Sequence, residues 1–285
     1  MNPEQIYHQV TTRYTASART PPNPHTQTVA HAFGYTTNDL HSIPTSSNLG
    51  LSCGNPVALA SLAPGERVID LGCGAGIDVL LASKRVGGLG GVVGVDMNEE
   101  MLKKARSNAR KTNSTNVTFI NSRITAVDLP DSCADVILSN CVVNLVPGSE
   151  KPLVFREMHR LLKPGGRVAV SDILTKRTLT EEMQKNVALY VGCVAGASRK
   201  EEYEGWLKDA GFVDVVVVDA GADLNVYTQG GETGASCCAP AESDGKNGEE
   251  EGSCCGTKGG EGDGGVAADM QNELRDIDLN EWAGK

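Results

Sequence analysis

The stretch Arg67-Val68-Ile69-Asp70-Leu71-Gly72-Cys73-Gly74-Ala75-Gly76 decides the fold of this 285-residue chain. Its apolar, β-branched beginning is typical of a buried strand, and a helical pattern follows from Gly76 to Val86. Between them, Gly72, Gly74 and Gly76 stand where the backbone must turn sharply or approach a ligand closely. The stretch therefore predicts a strand, a ligand-binding loop and a helix. The alternative is a tight turn that binds nothing.

An acidic residue supports ligand binding at this loop. Asp96 ends the next strand-like run, Gly91–Asp96, where a carboxylate can accept hydrogen bonds from the hydroxyls of a ribose. The alternative role for Asp96 is to cap the following helix, which is predicted over Glu99–Lys111.

Strand and helix patterns alternate through the middle of the chain. The remaining predictions are strands at Val117–Asn121, Asp135–Ser139 and Arg167–Asp172, helices at Thr26–Phe33 and Leu153–Leu162, a capping box at Ser198 and Glu201 that opens a helix to about Ala210, and a closing strand pair at Phe212–Val218 and Leu224–Thr228. This alternation is typical of an α/β fold, in which a doubly wound, mostly parallel sheet carries helices on both faces.

The negative charge is confined to the end of the chain. Residues 229–285 hold 13 acidic and 4 basic side chains, and the rest of the chain is nearly neutral. Without a basic face, neither nucleic acid nor an anionic membrane is an expected partner. Gly, Glu, Ser and Asp dominate from 229 to about 267, so we expect this tail to be mostly disordered. Ala268–Trp282 is either a terminal helix that docks back or a frayed end.

Composition also bears on location. No apolar run approaches the roughly 18 residues that span a bilayer, and Met1–Gln5 has neither the basic nor the apolar part of a signal peptide. The chain has nine cysteines, which in an unsecreted protein are expected to be thiols rather than a disulfide framework. We therefore expect a soluble cytoplasmic protein, and its oligomeric state is left open.

The glycine spacing resembles that of S-adenosylmethionine-dependent methyltransferases. Here Asp70 precedes a Gly-x-Gly-x-Gly run, and Leu161-Leu162-Lys163-Pro164-Gly165-Gly166 is similar to the late motif of that class. The resemblance implies a Rossmann-like methyltransferase fold and S-adenosylmethionine as methyl donor. It implies donor contacts from Asp70, Gly72, Gly74 and Gly76 to the methionine part, from Asp96 and Met97 to the ribose and adenine, from Ile124 to the adenine edge, and from Asn140 beside the methyl group.

Further motifs resemble those of arsenite methyltransferases. They are Asn48–Pro56, Ser139–Leu145, Val170–Ile173 and Tyr190–Ala197. The resemblance implies that Cys53, Cys141 and Cys193 bind trivalent arsenic, with arsenite and methylated arsenicals as substrates and a thiol reductant such as glutathione or thioredoxin. It divides the chain into an N-terminal segment or lid (1–49), a donor-binding core (50–175), a substrate-binding part (176–228) and the acidic tail (229–285).

The chemistry of arsenic agrees with such ligands. Trivalent arsenic is a soft centre that prefers thiolates, and its lone pair can attack a sulfonium methyl group without a strong general base. A free cysteine is nevertheless often only a small buried hydrophobic residue. We apply that interpretation to Cys73 and Cys133, and it remains the alternative for the three proposed ligands.

Other features keep two interpretations each. The tail pairs Cys237-Cys238 and Cys254-Cys255 either capture arsenic or take no part. Tyr7 and Tyr14 either belong to a lid over the donor or only pack. The histidines show no ligand spacing, and no metal site is assigned. The alternative functions are methylation of carbon or oxygen in a small organic metabolite, and non-catalytic binding of arsenic or metal by thiols.

Overall fold

A parallel sheet of five strands forms the centre of the computed structural model, which describes residues 2–177, 179, 193–227, 280 and 283–284. Its strands are β1 (Arg67–Leu71), β2 (Gly91–Asp96), β3 (Val117–Asn121), β4 (Ala134–Asn140) and β5 (Leu162–Ser171). They lie in the order β3-β2-β1-β4-β5, and every neighbouring pair is parallel. The predicted α/β fold is confirmed.

The direction of winding reverses at β1, which lies between β2 and β4. Open α/β sheets bind ligands at the carboxyl ends of the strands beside such a reversal. Because Leu71 pairs with Ser139, the loop that follows β1 and the residues that follow β4 emerge side by side. This register brings together two of the motifs found in the sequence.

Helical layers cover both faces of the sheet. Helices α5 (Ile77–Val86) and α6 (Glu99–Lys111) share a buried apolar cluster with one face, and α7 (Lys151–Leu161) and α8 (Lys200–Asp209) share another cluster with the opposite face. Val68 belongs to the first cluster and its neighbour Ile69 to the second. Burial on both faces explains why two consecutive residues of β1, Val68 and Ile69, are both apolar.

Helices α1 (Pro3–Arg19), α2 (Pro24–Ala32), α3 (Thr37–His41) and α4 (Pro56–Leu59) precede the sheet. The prediction at Thr26–Phe33 corresponds to α2, but α1 was missed. Its signal was the capping box between Asn2 and Gln5, with Pro3 in the first turn. In the structure, the ammonium of Lys104 donates to the carbonyl of Ala18 at 2.7 Å and so holds the end of α1 against α6.

The predicted capping box of α8 does not form. The N-cap is Arg199, whose backbone amide donates to the Glu202 carboxylate at 2.8 Å, whereas the expected pair was Ser198 with Glu201. Ser198 lies in a short strand, β7 (Ser198–Arg199), that pairs with β6 (Leu174–Thr175), and its hydroxyl accepts from the ammonium of Lys151 at 2.8 Å instead of capping α8. A tertiary pairing therefore overrides the local pattern.

The predicted closing strand pair is wrong. Residues 212–223 contain neither strand nor helix, and 224–227 form a 3₁₀ turn. Asp214 has a left-handed backbone, with φ of 54°, which interrupts an extended run. Val213, Val216 and Val218 are 71–81% exposed, so no strand among the described residues covers them.

The last residues described return to the small sheet. β8 (Ala283–Gly284) pairs antiparallel with β6, and the side chain of Asn280 accepts from the backbone amide of Leu224 at 2.9 Å. The tail expected to be disordered, residues 229–267, lies outside the described residues. Of the proposed terminal helix, Ala268–Trp282, the described residues include Asn280 alone. No helix in the described ranges has the length and apolarity to cross a bilayer.

A close approach inside the sheet provides a test of this packing. A Cβ atom at Gly94 would lie 2.8 Å from Phe119 Cδ1 and 2.9 Å from Cys73 Sγ, whereas one at Gly91 meets nothing nearer than 3.9 Å. We expect Gly94→Ala to lower the free energy of unfolding by about 1–3 kcal/mol through overpacking. Gly91→Ala in the same strand is the matched control and should have little effect. Equal urea unfolding curves for both variants would contradict this packing.

Candidate functional site

The loop after β1 forms one wall of a cavity at the carboxyl edge of the sheet. Gly72 and Gly74 have left-handed φ values of 78° and 51°. A Cβ atom at Gly72 would lie only 2.2 Å from Val142 Cγ2, whereas one at Gly74 would meet nothing within 4 Å. Gly72 therefore permits close packing against the chain after β4, and Gly74 leaves open space at the cavity.

Asp96 is fixed beside this loop at the end of β2. Its carboxylate accepts from the backbone amides of Gly74 at 2.9 Å and Asn98 at 2.8 Å. The alternative prediction, that Asp96 caps α6, is wrong, because the side chain of Asn98 accepts from the first amides of that helix. Burial raises the pKa of Asp96 to about 6, against the lowering effect of the two amides.

Two further buried carboxylates line the same cavity. Asp70 is 2% exposed, and its side-chain carboxylate has no hydrogen-bond partner in the described part of the chain. Burial and the neighbouring Asp78 and Asp96 raise the pKa of this carboxylate well above the usual range. Asp78 accepts from the hydroxyl of Tyr35 at 2.7 Å and from the amide of Asn140 at 2.9 Å. Burial nevertheless raises the pKa of Asp78 to about 6.

This donor set fits S-adenosylmethionine. Buried carboxylates without a cationic side-chain partner favour a positively charged ligand, and that cofactor carries an ammonium and a sulfonium. Asp70 is free to accept from an ammonium, and Asp96 is placed to accept from hydroxyl groups. The roles of Asp78 and Tyr35 were missed in the sequence, where the one signal was an acid in the first turn of α5.

Most of the predicted cofactor residues meet at the cavity. Those that line it are Asp70, Gly72, Gly74, Asp96, Met97, Ile124 and Asn140. Gly76 does not line it, because it caps α5 and packs toward Ala105 of α6. Helix α1 contributes Tyr7 and Tyr14 to the opposite wall.

Contacts across the cavity hold α1 in place. The hydroxyl of Tyr7 donates to Glu150 at 2.6 Å, and the guanidinium of Arg123 lies 4.0 Å from the centre of the Tyr7 ring. Arg123 also donates through both terminal nitrogens to Glu4. The position of α1 agrees with both interpretations of these tyrosines, since they pack and also cover the cavity.

Three cysteines distant in sequence converge next to this cavity. The sulfur atoms of Cys53, Cys141 and Cys193 lie within 4.8 Å of one another, and all three residues are buried. Cys141 and Cys193 have left-handed backbones, with φ of 59° and 67°, a costly conformation for a residue other than glycine. Apolar packing does not require three sulfurs to point at one place, so the cluster has the form of a binding site for a soft centre.

One part of the cysteine prediction is corrected. The structure records Cys53 and Cys141 as a disulfide, with Cα atoms 5.4 Å apart, whereas all the cysteines were expected to be thiols. Cys193 is free and donates to the carbonyl of Cys141 at 3.1 Å. The amide of Cys53 donates to the side chain of Asn140 at the end of β4, and this contact places Cys53 beside Cys141.

Asn140 connects the cysteine cluster with the cavity. Its side-chain oxygen accepts from the amide of Cys53 at 3.1 Å, and its nitrogen donates to the carbonyl of Gly54 at 2.9 Å. The same nitrogen reaches Asp78 and Tyr35. Asn140 therefore positions the Cys53 loop, a role that the sequence did not reveal.

The other cysteines lie apart from the cluster. Cys73 is buried beside Gly94 and also lines the cavity, and Cys133 is half-buried, with its amide donating to the carbonyl of Leu161. A structural role remains our prediction for both. The pairs Cys237-Cys238 and Cys254-Cys255 lie outside the described residues.

Comparison with known proteins agrees with this geometry. Residues 62–211 match the family model described as a methyltransferase domain. The chain belongs to this family. The resemblance to methyltransferases that the glycine loop and the late motif indicated is therefore confirmed.

Individual relatives are arsenite methyltransferases. This methyltransferase-domain protein is 45% identical to one from Halobacterium salinarum, over 68% of its own length and 52% of the relative's. It is 33% identical to the human one, over 54% of its own length and 43% of the relative's. The chain thus spans about half the length of these curated relatives, and the predicted resemblance is confirmed.

A solved structure shows a similar fold. It is an arsenic(III) S-adenosylmethionine methyltransferase from Chlamydomonas reinhardtii, 32% identical, with a TM-score of 0.52. The match covers 72% of this methyltransferase-domain protein and 69% of that chain.

The elevated pKa of Asp96 predicts how donor binding depends on pH. We expect the carboxylate form of Asp96 to accept from ribose hydroxyls, and burial raises its pKa to about 6. Affinity for the donor is therefore retained above pH 6. Below pH 6 it falls by about tenfold for each pH unit. Calorimetric titration with S-adenosylhomocysteine at pH 7.5 and pH 5 measures this loss.

The Asp96→Asn variant is the control for this prediction. It should bind more weakly at pH 7.5 and depend less on pH, which separates Asp96 from Asp70 and Asp78 in the same cavity. If the variant keeps the pH dependence of the wild type, Asp96 is not the group responsible.

Proposed function

We propose that this protein transfers a methyl group from S-adenosylmethionine to trivalent arsenic held by the thiolates of Cys53, Cys141 and Cys193, giving methylated arsenicals. The observation that carries the proposal is the convergence of the three sulfurs within 4.8 Å beside the carboxylate-lined cavity. Cys141 belongs to both places, since it is in the sulfur cluster and lines the cavity. The similarity to arsenite methyltransferases supports the same acceptor.

The residues of the cavity would hold the donor. Asp70 accepts from the ammonium, Asp96 from the ribose hydroxyls, and Met97 and Ile124 pack beside the adenine. When bound, S-adenosylmethionine supplies an electrophilic methyl group on a sulfonium. The chain contributes orientation, because a well-positioned pair of reactants can gain about 7–11 kcal/mol over a random encounter.

The cysteine cluster would hold the acceptor in a dry environment. Cys53, Cys141 and Cys193 are at most 5% exposed, so water has little access to arsenic–sulfur bonds formed there. Burial and the nearby Asp172 raise the pKa of the Cys193 thiol. At neutral pH this thiol is therefore protonated, and arsenic coordination must displace its proton.

The disulfide makes a reductant part of the proposal. Cys53 and Cys141 can both ligate arsenic only after two electrons have opened the bond between them. A thiol such as glutathione, or a protein dithiol such as thioredoxin, would supply these electrons and become a disulfide itself. Arsenite and methylated arsenicals are the proposed small-molecule substrates.

Arsenic speciation after incubation with arsenite, S-adenosylmethionine and a thiol reductant tests the function. We expect methylated arsenic from the wild type. Single replacement of Cys53, Cys141 or Cys193 by serine should lower turnover by about a hundredfold, because each ligand helps to position the arsenic. Cys133→Ser, at a half-buried thiol outside the cluster, is the matched control and should retain wild-type turnover.

Two outcomes would contradict this proposal. The first is donor binding by calorimetry with no methylated arsenic formed, which would favour an organic acceptor or simple arsenic binding. The second is wild-type turnover in all three serine variants, which would remove the cysteine cluster from the chemistry. Serine at Cys237, Cys238, Cys254 and Cys255 together tests the tail, and turnover should persist because the cluster already offers three ligands.

A further inference from the structure

A buried lysine at the start of α7 contacts the segment that carries Cys193. Lys151 is 3% exposed, and its ammonium donates to the carbonyl of Gly196 and, at 2.8 Å, to the hydroxyl of Ser198. Both acceptors follow Cys193 within a few residues. Lys151 thus joins a helix of the core to the Cys193 segment.

The position of Lys151 is costly for the fold. Burial lowers its pKa to about 8, and Asp172, Glu202 and Cys193 partly oppose this effect. Within the described ranges no carboxylate comes within ion-pair distance of its ammonium. A buried cation without an ion pair is normally replaced by an apolar residue unless its hydrogen bonds are needed. The bonds to Gly196 and Ser198 are the observed reason for its presence.

The segment it contacts needs external support. Cys193 has a left-handed φ of 67°, and such a conformation persists only where the surroundings restrain it. The turn closes through the amide of Ala197 and the carbonyl of Val194 at 3.0 Å, and β7 begins at Ser198. Lys151 donates to this turn and to the first residue of β7, and so restrains the segment from one buried point.

We propose that Lys151 is a positioning residue for the third sulfur of the arsenic site. By holding Gly196 and Ser198, it keeps the Cys193 segment in the conformation that directs the sulfur toward Cys53 and Cys141. This inference rests on the proposed function. Without the ammonium, the turn relaxes, the Cys193 sulfur leaves the cluster, and arsenic retains two thiolates.

The surroundings of Cys193 favour this positional role over a direct effect on the thiol. Asp172 is fixed by the amides of Asn144 and Ile173 and by the hydroxyl of Tyr203. Its charge raises the pKa of Cys193 more strongly than Lys151 lowers it. Among the described residues, the remaining titratable neighbours are the hydroxyls of Tyr14, Tyr203 and Tyr227, which are neutral, and the other two cysteines of the cluster.

The test counts sulfur atoms around bound arsenic by X-ray absorption spectroscopy. The full chain is first reduced with a phosphine, which opens the Cys53–Cys141 disulfide without adding sulfur. Cys237, Cys238, Cys254 and Cys255 are replaced by serine so that only the body binds arsenic. The parent protein should show three sulfurs, and Cys193→Ser provides the two-sulfur reference. Lys151→Met, which keeps the length of the side chain but not its donors, should show two.

Affinity and kinetics give a second readout. In Lys151→Met, the dissociation constant and KM for arsenite should rise by about tenfold or more, as for loss of charge-assisted hydrogen bonds, while the KM for S-adenosylmethionine stays unchanged. Lys163→Met is the matched control. Lys163 pairs with Asp135 at the amino end of β5, whereas the cavity lies at the carboxyl edge of the sheet. A purely structural lysine would alter stability without changing the sulfur count.

The outcomes separate the two proposals. If the parent protein binds no arsenic, the proposed function fails. If the parent and Cys193→Ser differ but Lys151→Met still shows three sulfurs and unchanged arsenite affinity, the positioning role is overturned. If Lys151→Met does not fold, Ser198→Ala decides, since it removes one acceptor only: weaker arsenite binding supports the role, and unchanged binding overturns it.

Discussion

The side-chain amide of Asn140 is the interaction on which both halves of the site depend. It ends β4, where the parallel register with β1 brings the glycine loop alongside. Its oxygen accepts from the Cys53 amide, and its nitrogen donates to Gly54, Asp78 and Tyr35. Asn140 therefore holds both the Cys53 loop and the carboxylate-lined cavity, so a shift of either would disturb the other.

Buried charge is the second constraint on the molecule. Asp70, Asp78, Asp96 and Asp172 all have pKa values raised by burial, and that of Lys151 is lowered. Each of these groups costs stability in the ligand-free fold. A cationic ligand would offset this cost for the cavity acids, since a ligand that binds only the folded state stabilises it by mass action. Lys151 instead donates to Gly196 and Ser198 in the segment after Cys193, and Asp172 accepts from Asn144 and Tyr203.

Local patterns predicted the central sheet well and the edges of the fold poorly. β1, α5, β2 and α6 were predictable because both faces of the sheet are buried and the glycine loop marks the turn between the first two. The strand pair at Phe212–Val218 and Leu224–Thr228 was wrong because apolar residues there remain exposed. The N-cap moved from Ser198 to Arg199, since the hydroxyl of Ser198 accepts from the buried Lys151 instead. In these cases tertiary contacts outweighed short-range preference.

The sequence by itself determined the α/β alternation and the loop of Gly72 and Gly74, since each depends on residue type and local spacing. The candidate arsenic ligands came from the resemblance of its motifs to those of arsenite methyltransferases. Only the tertiary structure decided that Cys53, Cys141 and Cys193 meet within 4.8 Å, that the first two pair, and that Asn140 and Lys151 hold the segments around them. Cys53 and Cys141 are separated by 88 positions. No local pattern encodes such a distance, because it follows from strand order and from the packing of segments against a common core.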